Sequence, residues 1–227
     1  MKKSIILVLM LMALISCNSK SKFQERIIAH NRQVLDLAWK TGDVNTAIAS
    51  INGMIIYDTS NIGLYDTLAS LYMKVEDYSS AYSVSSKMLK IDSTNLAALE
   101  KFASNAAKIN QSKEALEAYT ELYNKTKKLV FLYETGIQNY NMGGVDAGEK
   151  IMNMVLSNPE SLNEVYFFQI NKNQYIQVPL ISMVYYFLGT FEEIKNQKSN
   201  AIDLYKKSLE FAPGFFKAKE RLEVLEK

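Results

Sequence analysis

Apolar residues recur along this chain at helical rather than alternating spacing. Ala115, Leu116, Tyr119, Leu122 and Tyr123 fall one, three, three and one apart, which places them along one stripe of a helix and not on one face of a strand. Polar tetrapeptides punctuate such stretches. Asp58-Thr59-Ser60-Asn61 and Asp92-Ser93-Thr94-Asn95 lie 34 residues apart and are rich in side chains that cap the free amides of a following helix. Small residues keep the same interval: Ala47, Ala81 and Ala115 are spaced 34 and 34 apart, preceded by Gly42-Asp43, Glu76-Asp77-Tyr78 and Asn110-Gln111. The pattern predicts a helix-turn-helix unit repeated every 34 residues.

That period is the tetratricopeptide repeat's, and the residues resemble that family most closely near the end of the chain. Tyr185, Leu188 and Gly189, followed by Ala201, Tyr205, Leu209 and Pro213, match its order of aromatic, Leu-Gly, Ala, aromatic and Pro. The second unit has Tyr65, Leu68, Ala69, Tyr72, Ala81 and Leu89. The first has Ala38, Gly42, Ala47 and Ile55, and the third Phe102, Ala103, Ala106, Ala115 and Tyr119. The fourth is degenerate, with Gly136 at the small position, Gly148 in place of the alanine, and Met152, Leu156 and Pro159 behind it. The small side chains allow the two helices of a unit to approach closely while Tyr and Leu fill the space beside them. The fold implied is all-α: an α-solenoid of about five repeats, four over 28–158 and a fifth over 182–215, sealed by an amphipathic capping helix over 216–227.

The count breaks once. Gly148 to Ala201 is 53 residues, one repeat plus 19, so a segment over 159–181 is inserted. Val165 to Ile170 and Gln174 to Val178 are aromatic and β-branched around a polar Asn171-Lys172-Asn173 turn, which predicts a β-hairpin that Pro179 ends. Because an isolated two-stranded hairpin is marginal, packing on the repeats is favoured over an exposed arm that meets a partner through Phe167 and Tyr175.

The first residues carry a different message. Lys2 and Lys3 precede an apolar run from Ile5 to Leu14, long enough for a signal-peptide core and too short for a permanent span. Leu14-Ile15-Ser16-Cys17 resembles the lipobox of bacterial lipoproteins. The resemblance implies a signal peptide over 1–16 and lipidation of Cys17, with residues 17–27 as a tether and the start of the first helix. The expected location is a lipid anchor in the cell membrane, at the outer membrane facing the periplasm, since no acidic residue directly follows Cys17 to suggest surface export.

Composition narrows the function. Without Lys2 and Lys3, 24 basic residues face 24 acidic ones, so the remainder is formally neutral and lacks the basic excess of a nucleic-acid binder. Cys17 is the only cysteine and His30 the only histidine, which removes internal disulfides and most metal centres. Gly143-Gly144 lacks the Lys-Ser/Thr of a phosphate loop, and Glu192-Glu193 reads as a solvated helix face. No catalytic site, metal or cofactor is expected.

By resemblance, the first helix of each repeat lines a concave groove. The frame then puts Lys40, Lys74 and Lys108 at one position of three repeats, with Arg32, Asp66, Glu100, Tyr133 and Tyr186 at a second. Two readings are open: ordinary solvated residues, or a groove for a peptide bearing acidic groups. The expected role is a membrane-anchored adaptor whose partner is an envelope protein or peptide. The alternatives are a stoichiometric subunit of an outer-membrane assembly and an envelope enzyme subunit.

Overall fold

The computed structural model describes residues 2–171 and 174–227, with side chains described from Lys22 onward. The chain divides into an N-terminal unit, residues 1–95, and a C-terminal unit, residues 96–227. The first contains α1 (Lys2–Thr41), α2 (Val44–Ile55), α3 (Ile62–Lys74) and α4 (Tyr78–Ile91). The second contains α5 (Leu96–Lys108), α6 (Ser112–Thr126), α7 (Leu129–Asn141) and α8 (Val145–Leu156), then a short 3-10 turn at Pro159–Leu162. It continues through β1 (Val165–Asn171), β2 (Gln174–Pro179), α9 (Leu180–Ile194), α10 (Lys198–Phe211) and α11 (Phe216–Leu225). Helix α9, the first helix of the pair that follows the insertion, begins at Leu180 directly after β2.

One turn closes every repeat. The amides of Asp43, Asp77, Gln111, Gly144 and Gln197 each donate to the carbonyl five residues back, Ala38, Tyr72, Ala106, Asn139 and Glu192, at 2.8–3.0 Å. The residue before each donor is left-handed: Gly42 at φ 71°, Glu76 at 63°, Asn110 at 61°, Gly143 at 86° and Asn196 at 59°. This is a Schellman-type stop, and the same donor residue opens the second helix of the pair. In the first two repeats it is an aspartate that also caps: Asp43 accepts from the Thr46 amide and Asp77 from the Ser80 amide, both at 3.0 Å. Asn61 caps α3 in the same way, accepting from the Leu64 amide at 3.3 Å. The later repeats keep the turn and lose the side-chain cap, with Gln111, Gly144 and Gln197 at that position.

The small residues sit where the helices of a pair cross. Ala47, Ala69, Ala81, Ala103, Ala115 and Ala201 are all buried. In the degenerate fourth repeat the two helices meet backbone to backbone: a Cβ on Gly148 would lie 2.9 Å from the Gly136 carbonyl oxygen. In the fifth, a Cβ on Gly189 would fall 2.8 Å from the Tyr205 ring. Tyr65, Tyr119 and Tyr205 are buried packing residues, as their place in the repeat implies, and Tyr133, which the repeat frame put in the groove, is fully buried as well. The cap α11 buries Ala218 and is tied back through Arg221 to Glu193 of α9, which also accepts from the Tyr205 hydroxyl.

The strands pair antiparallel, with Val165 opposite Pro179, Tyr166 opposite Val178, Phe167 opposite Gln177, Phe168 opposite Ile176 and Gln169 opposite Tyr175. An irregularity between Gln169 and Asn171 precedes the turn, whose Lys172 and Asn173 lie outside the described residues. The backbone of residues 18–22, read from the sequence as a tether, continues α1. No Gly or Pro occurs before Gly42 to interrupt it. The side chain of Cys17 lies outside those described. Among the described residues no helix is long and apolar enough to cross a membrane.

Two glycines separate the constraints. An added Cβ at Gly42 would touch nothing within 4 Å, so Gly42→Ala meets only the left-handed backbone cost, about 1 kcal/mol. Gly148→Ala must push a backbone carbonyl aside and is expected to lose about 1 to 3 kcal/mol. Denaturant melts of the two variants check the order; equal losses would mean that the fourth crossing is not close-packed.

Candidate partner-binding site

The hairpin lies on the C-terminal unit, held there through Glu164, Tyr166, Phe168, Gln169 and Val178. At its root, the Glu164 carboxylate accepts from the first amides of α7, Leu129 at 2.8 Å and Val130 at 2.9 Å. It thereby caps a helix whose own N-cap residue, Lys128, provides no side-chain bond, and places negative charge at the positive end of the helix dipole. The Glu164 carbonyl accepts from the Leu180 amide at 2.8 Å, so one residue joins both ends of the inserted segment.

Further along β1, the Tyr166 hydroxyl donates to Glu134 of α7 at 2.7 Å, and its ring meets Tyr133 edge-on at 5.3 Å. Phe168, on the same face of the strand, contacts Phe215 at 5.3 Å and Phe216 at 6.0 Å, both edge-on. Gln169 accepts from the Lys108 ammonium of α5 at 3.3 Å. Val178 of β2 is buried beside them. The opposite face is open, with Phe167 60% and Tyr175 56% exposed. The hairpin is therefore packed mainly through its Tyr166 and Phe168 face, with Gln169 the one residue of the Phe167 and Tyr175 face described in contact with a helix, and the two aromatics singled out from the sequence remain exposed.

This arrangement sorts the groove residues named above. Lys108 is exposed but engaged by the hairpin, Tyr133 is fully buried beneath it, and Tyr186 is half-buried against Phe215 at 5.3 Å. Glu100, exposed on α5, is felt by the Tyr119 phenol. In the N-terminal unit, Arg32, Lys40 and Lys74 are exposed and Asp66 is half-buried. Lys40 and Lys74 each occupy the last turn of the first helix of a repeat. Beside Lys40 stands Trp39, the only tryptophan and 48% exposed. Sequence reasoning passed over Trp39, Glu134 and Glu164. Glu134 had a signal: it is the one charged residue in α7. Among the described residues, no three His, Cys, Asp or Glu side chains converge to hold a metal ion.

Burial pushes the Glu134 carboxyl up to about 7, against the opposing pull of the Tyr166 hydroxyl and the Lys108 charge. The Tyr119, Tyr133 and Tyr166 hydroxyls are driven well above the ordinary phenol range, first by burial and then by Glu134 and one another.

Comparison with known proteins bears on the fold. No model of a known protein family matches the sequence, and no curated protein does. Solved structures do match. MamA from Desulfovibrio magneticus RS-1 superposes with a TM-score of 0.64 at 15% identity, over 83% of this chain and 97% of that one. YrrB, described as a TPR protein with an unusual peptide-binding site, gives 0.62 at 16% identity, over 83% and 88%. A tetratricopeptide repeat protein from Parabacteroides merdae covers 95% of this chain and 77% of its own, at 0.53 and 16% identity. The chain has the tetratricopeptide repeat fold.

The pKa of Glu134 gives the hairpin contact a pH dependence. Tyr166 faces it from β1, Lys108 from α5 and Tyr119 from α6. A carboxyl at about 7 in the folded chain and at its ordinary 4.5 when released binds more protons folded. Its stabilising contribution is thus complete below the ordinary value and lost as pH rises through about 7, by at most about 3 kcal/mol. The melting temperature is expected to fall between about pH 5 and about pH 8, and Glu134→Gln to flatten that fall. An unchanged slope in Glu134→Gln would assign the pH dependence to other groups.

Proposed function

We propose that this chain is a protein-interaction adaptor of the bacterial envelope, lipid-anchored through Cys17 and facing the periplasm at the outer membrane. The observation that carries the interaction role is the exposed set Arg32, Trp39, Lys40 and Lys74 on the first helices of a repeat fold whose solved relatives include a peptide-binding protein. Two lysines one repeat apart, with an exposed indole beside one of them, suit a partner segment that carries carboxylates and an apolar residue. The anchor rests on Leu14-Ile15-Ser16-Cys17 and the apolar run before it. Several acyl chains on one cysteine give a stable anchor where a single chain gives only marginal binding.

Two experiments test the two halves of this reading. Cys17→Ala is expected to move the protein from the membrane pellet to the soluble fraction with helicity unchanged, and a variant that still pellets after a high-salt wash would contradict the anchor. Crosslinked capture from envelopes is expected to yield a protein partner whose recovery weakens with salt over a screening length of about 8 to 10 Å. The double variant Lys40→Glu, Lys74→Glu should lose that partner while melting as the native chain does. Undiminished capture would return both lysines to the role of solvated surface.

A further inference from the structure

The seat beneath the hairpin is made by side chains of three helices: Lys108 of α5, Tyr133 and Glu134 of α7, and Phe216 at the start of α11 with Phe215 beside it. None of these contacts uses the hairpin's backbone. The inserted segment is held at its root by Glu164 separately from them, while Val178 and Ile176 of β2 also pack on the core of the unit and would be uncovered with the strands. The seat also has hydrogen-bonding capacity that the hairpin leaves unused. The Tyr133 hydroxyl is fully buried under Tyr166 and has no partner among the described residues, an unfavourable state for a polar group out of water.

We infer that the hairpin is a displaceable occupant of a peptide site on the C-terminal unit, and that the second occupant is an extended segment of a partner protein bearing a tyrosine and, two residues on, a phenylalanine. The inference rests on reading the chain as a protein-interaction module. β1 itself displays the ligand chemistry. In an extended strand, residues two apart share a face, so Tyr166 reaches Glu134 while Phe168 enters between Phe215 and Phe216. The next residue offers an amide oxygen to Lys108. A partner segment in this order reproduces the contacts of β1, and a backbone or side-chain group that also reaches the Tyr133 hydroxyl gains over the hairpin. Closure by the hairpin lowers apparent affinity by the fraction of molecules that are open.

The probe is a fluorescent peptide with the sequence of residues 164–171, and the control peptide carries alanine in place of its tyrosine and second phenylalanine. In the full chain, Tyr166→Phe combined with Phe168→Ala loosens the resident hairpin without touching the seat. This variant is expected to bind the probe at least about tenfold more tightly than the native chain, and the control peptide no better than the native chain does. Adding Glu134→Ala should return binding to the native level. Equal affinity for probe and control, or equal affinity of variant and native chain, overturns the inference.

If the double variant has lost its cooperative melt, Tyr166→Phe alone removes a single hydroxyl and is expected to give about a threefold gain. No gain there also overturns it. The complex should elute as one chain with one peptide, whereas dimers formed by exchanged hairpins would make a second copy the true occupant and overturn the assignment to a partner protein. A chain that takes the probe as described but captures no envelope protein would instead contradict the adaptor reading and leave the peptide site standing.

Discussion

The close crossing of two helices within each repeat is the constraint on which the rest depends. It requires a residue without a bulky side chain on both helices at the same level. The chain buries Ala69, Ala81, Ala103, Ala115 and Ala201 on these helices, brings Gly148 against the Gly136 carbonyl, and leaves room at Gly189 for the Tyr205 ring. The turn that follows must then reverse the chain in two or three residues, which the left-handed residue and the amide five positions on accomplish at each repeat. In the fourth repeat the glycine pair brings α7 and α8 so near that a methyl group would collide with a backbone oxygen. That same repeat presents α7, with Tyr133 and Glu134, to the inserted hairpin.

A hairpin of two strands is too small to hold its own fold, and here it borrows stability from the helices it covers. Edge-on contacts of Tyr166 and Phe168 with Tyr133, Phe215 and Phe216 supply apolar area, and the Glu164 cap satisfies amides that α7 would otherwise leave to solvent. The two units therefore differ in what their helices leave exposed. In the N-terminal unit the first helices keep exposed Lys40, Lys74 and Trp39, whereas in the C-terminal unit the corresponding Lys108 and Tyr133 are occupied by the chain itself. In the adaptor reading proposed above, a basic surface and an aromatic seat would select different features of a protein partner.

The architecture was legible because it is local. Asp43, Asp77, Ala47, Ala81 and Ala115 repeat every 34 residues, and each acts within one helical pair, so spacing alone reveals the fold. The insertion was legible as a break in that count, and its strands as aromatic and β-branched runs around the polar Asn171-Lys172-Asn173 turn. Its destination was not, because the contacts that decide it join residues far apart: Tyr166 with Glu134 across 32 positions, Glu164 with Leu129 across 35, and Gln169 with Lys108 across 61. Treating Tyr133 and Lys108 as members of an open groove followed from the repeat frame, which carries no information about what the hairpin covers.

Amide hydrogen exchange in the full chain tests the seated hairpin most directly. The amides of β1 and β2 should be protected, yet open at a lower free energy than those of α7 and α9, because the seat lies on a stable unit that the hairpin leaves without unfolding it. Strand amides that exchange as freely as an unstructured peptide while α7 and α9 stay protected would contradict the seating of the hairpin. Strand amides that exchange only together with α7 and α9 would contradict its release.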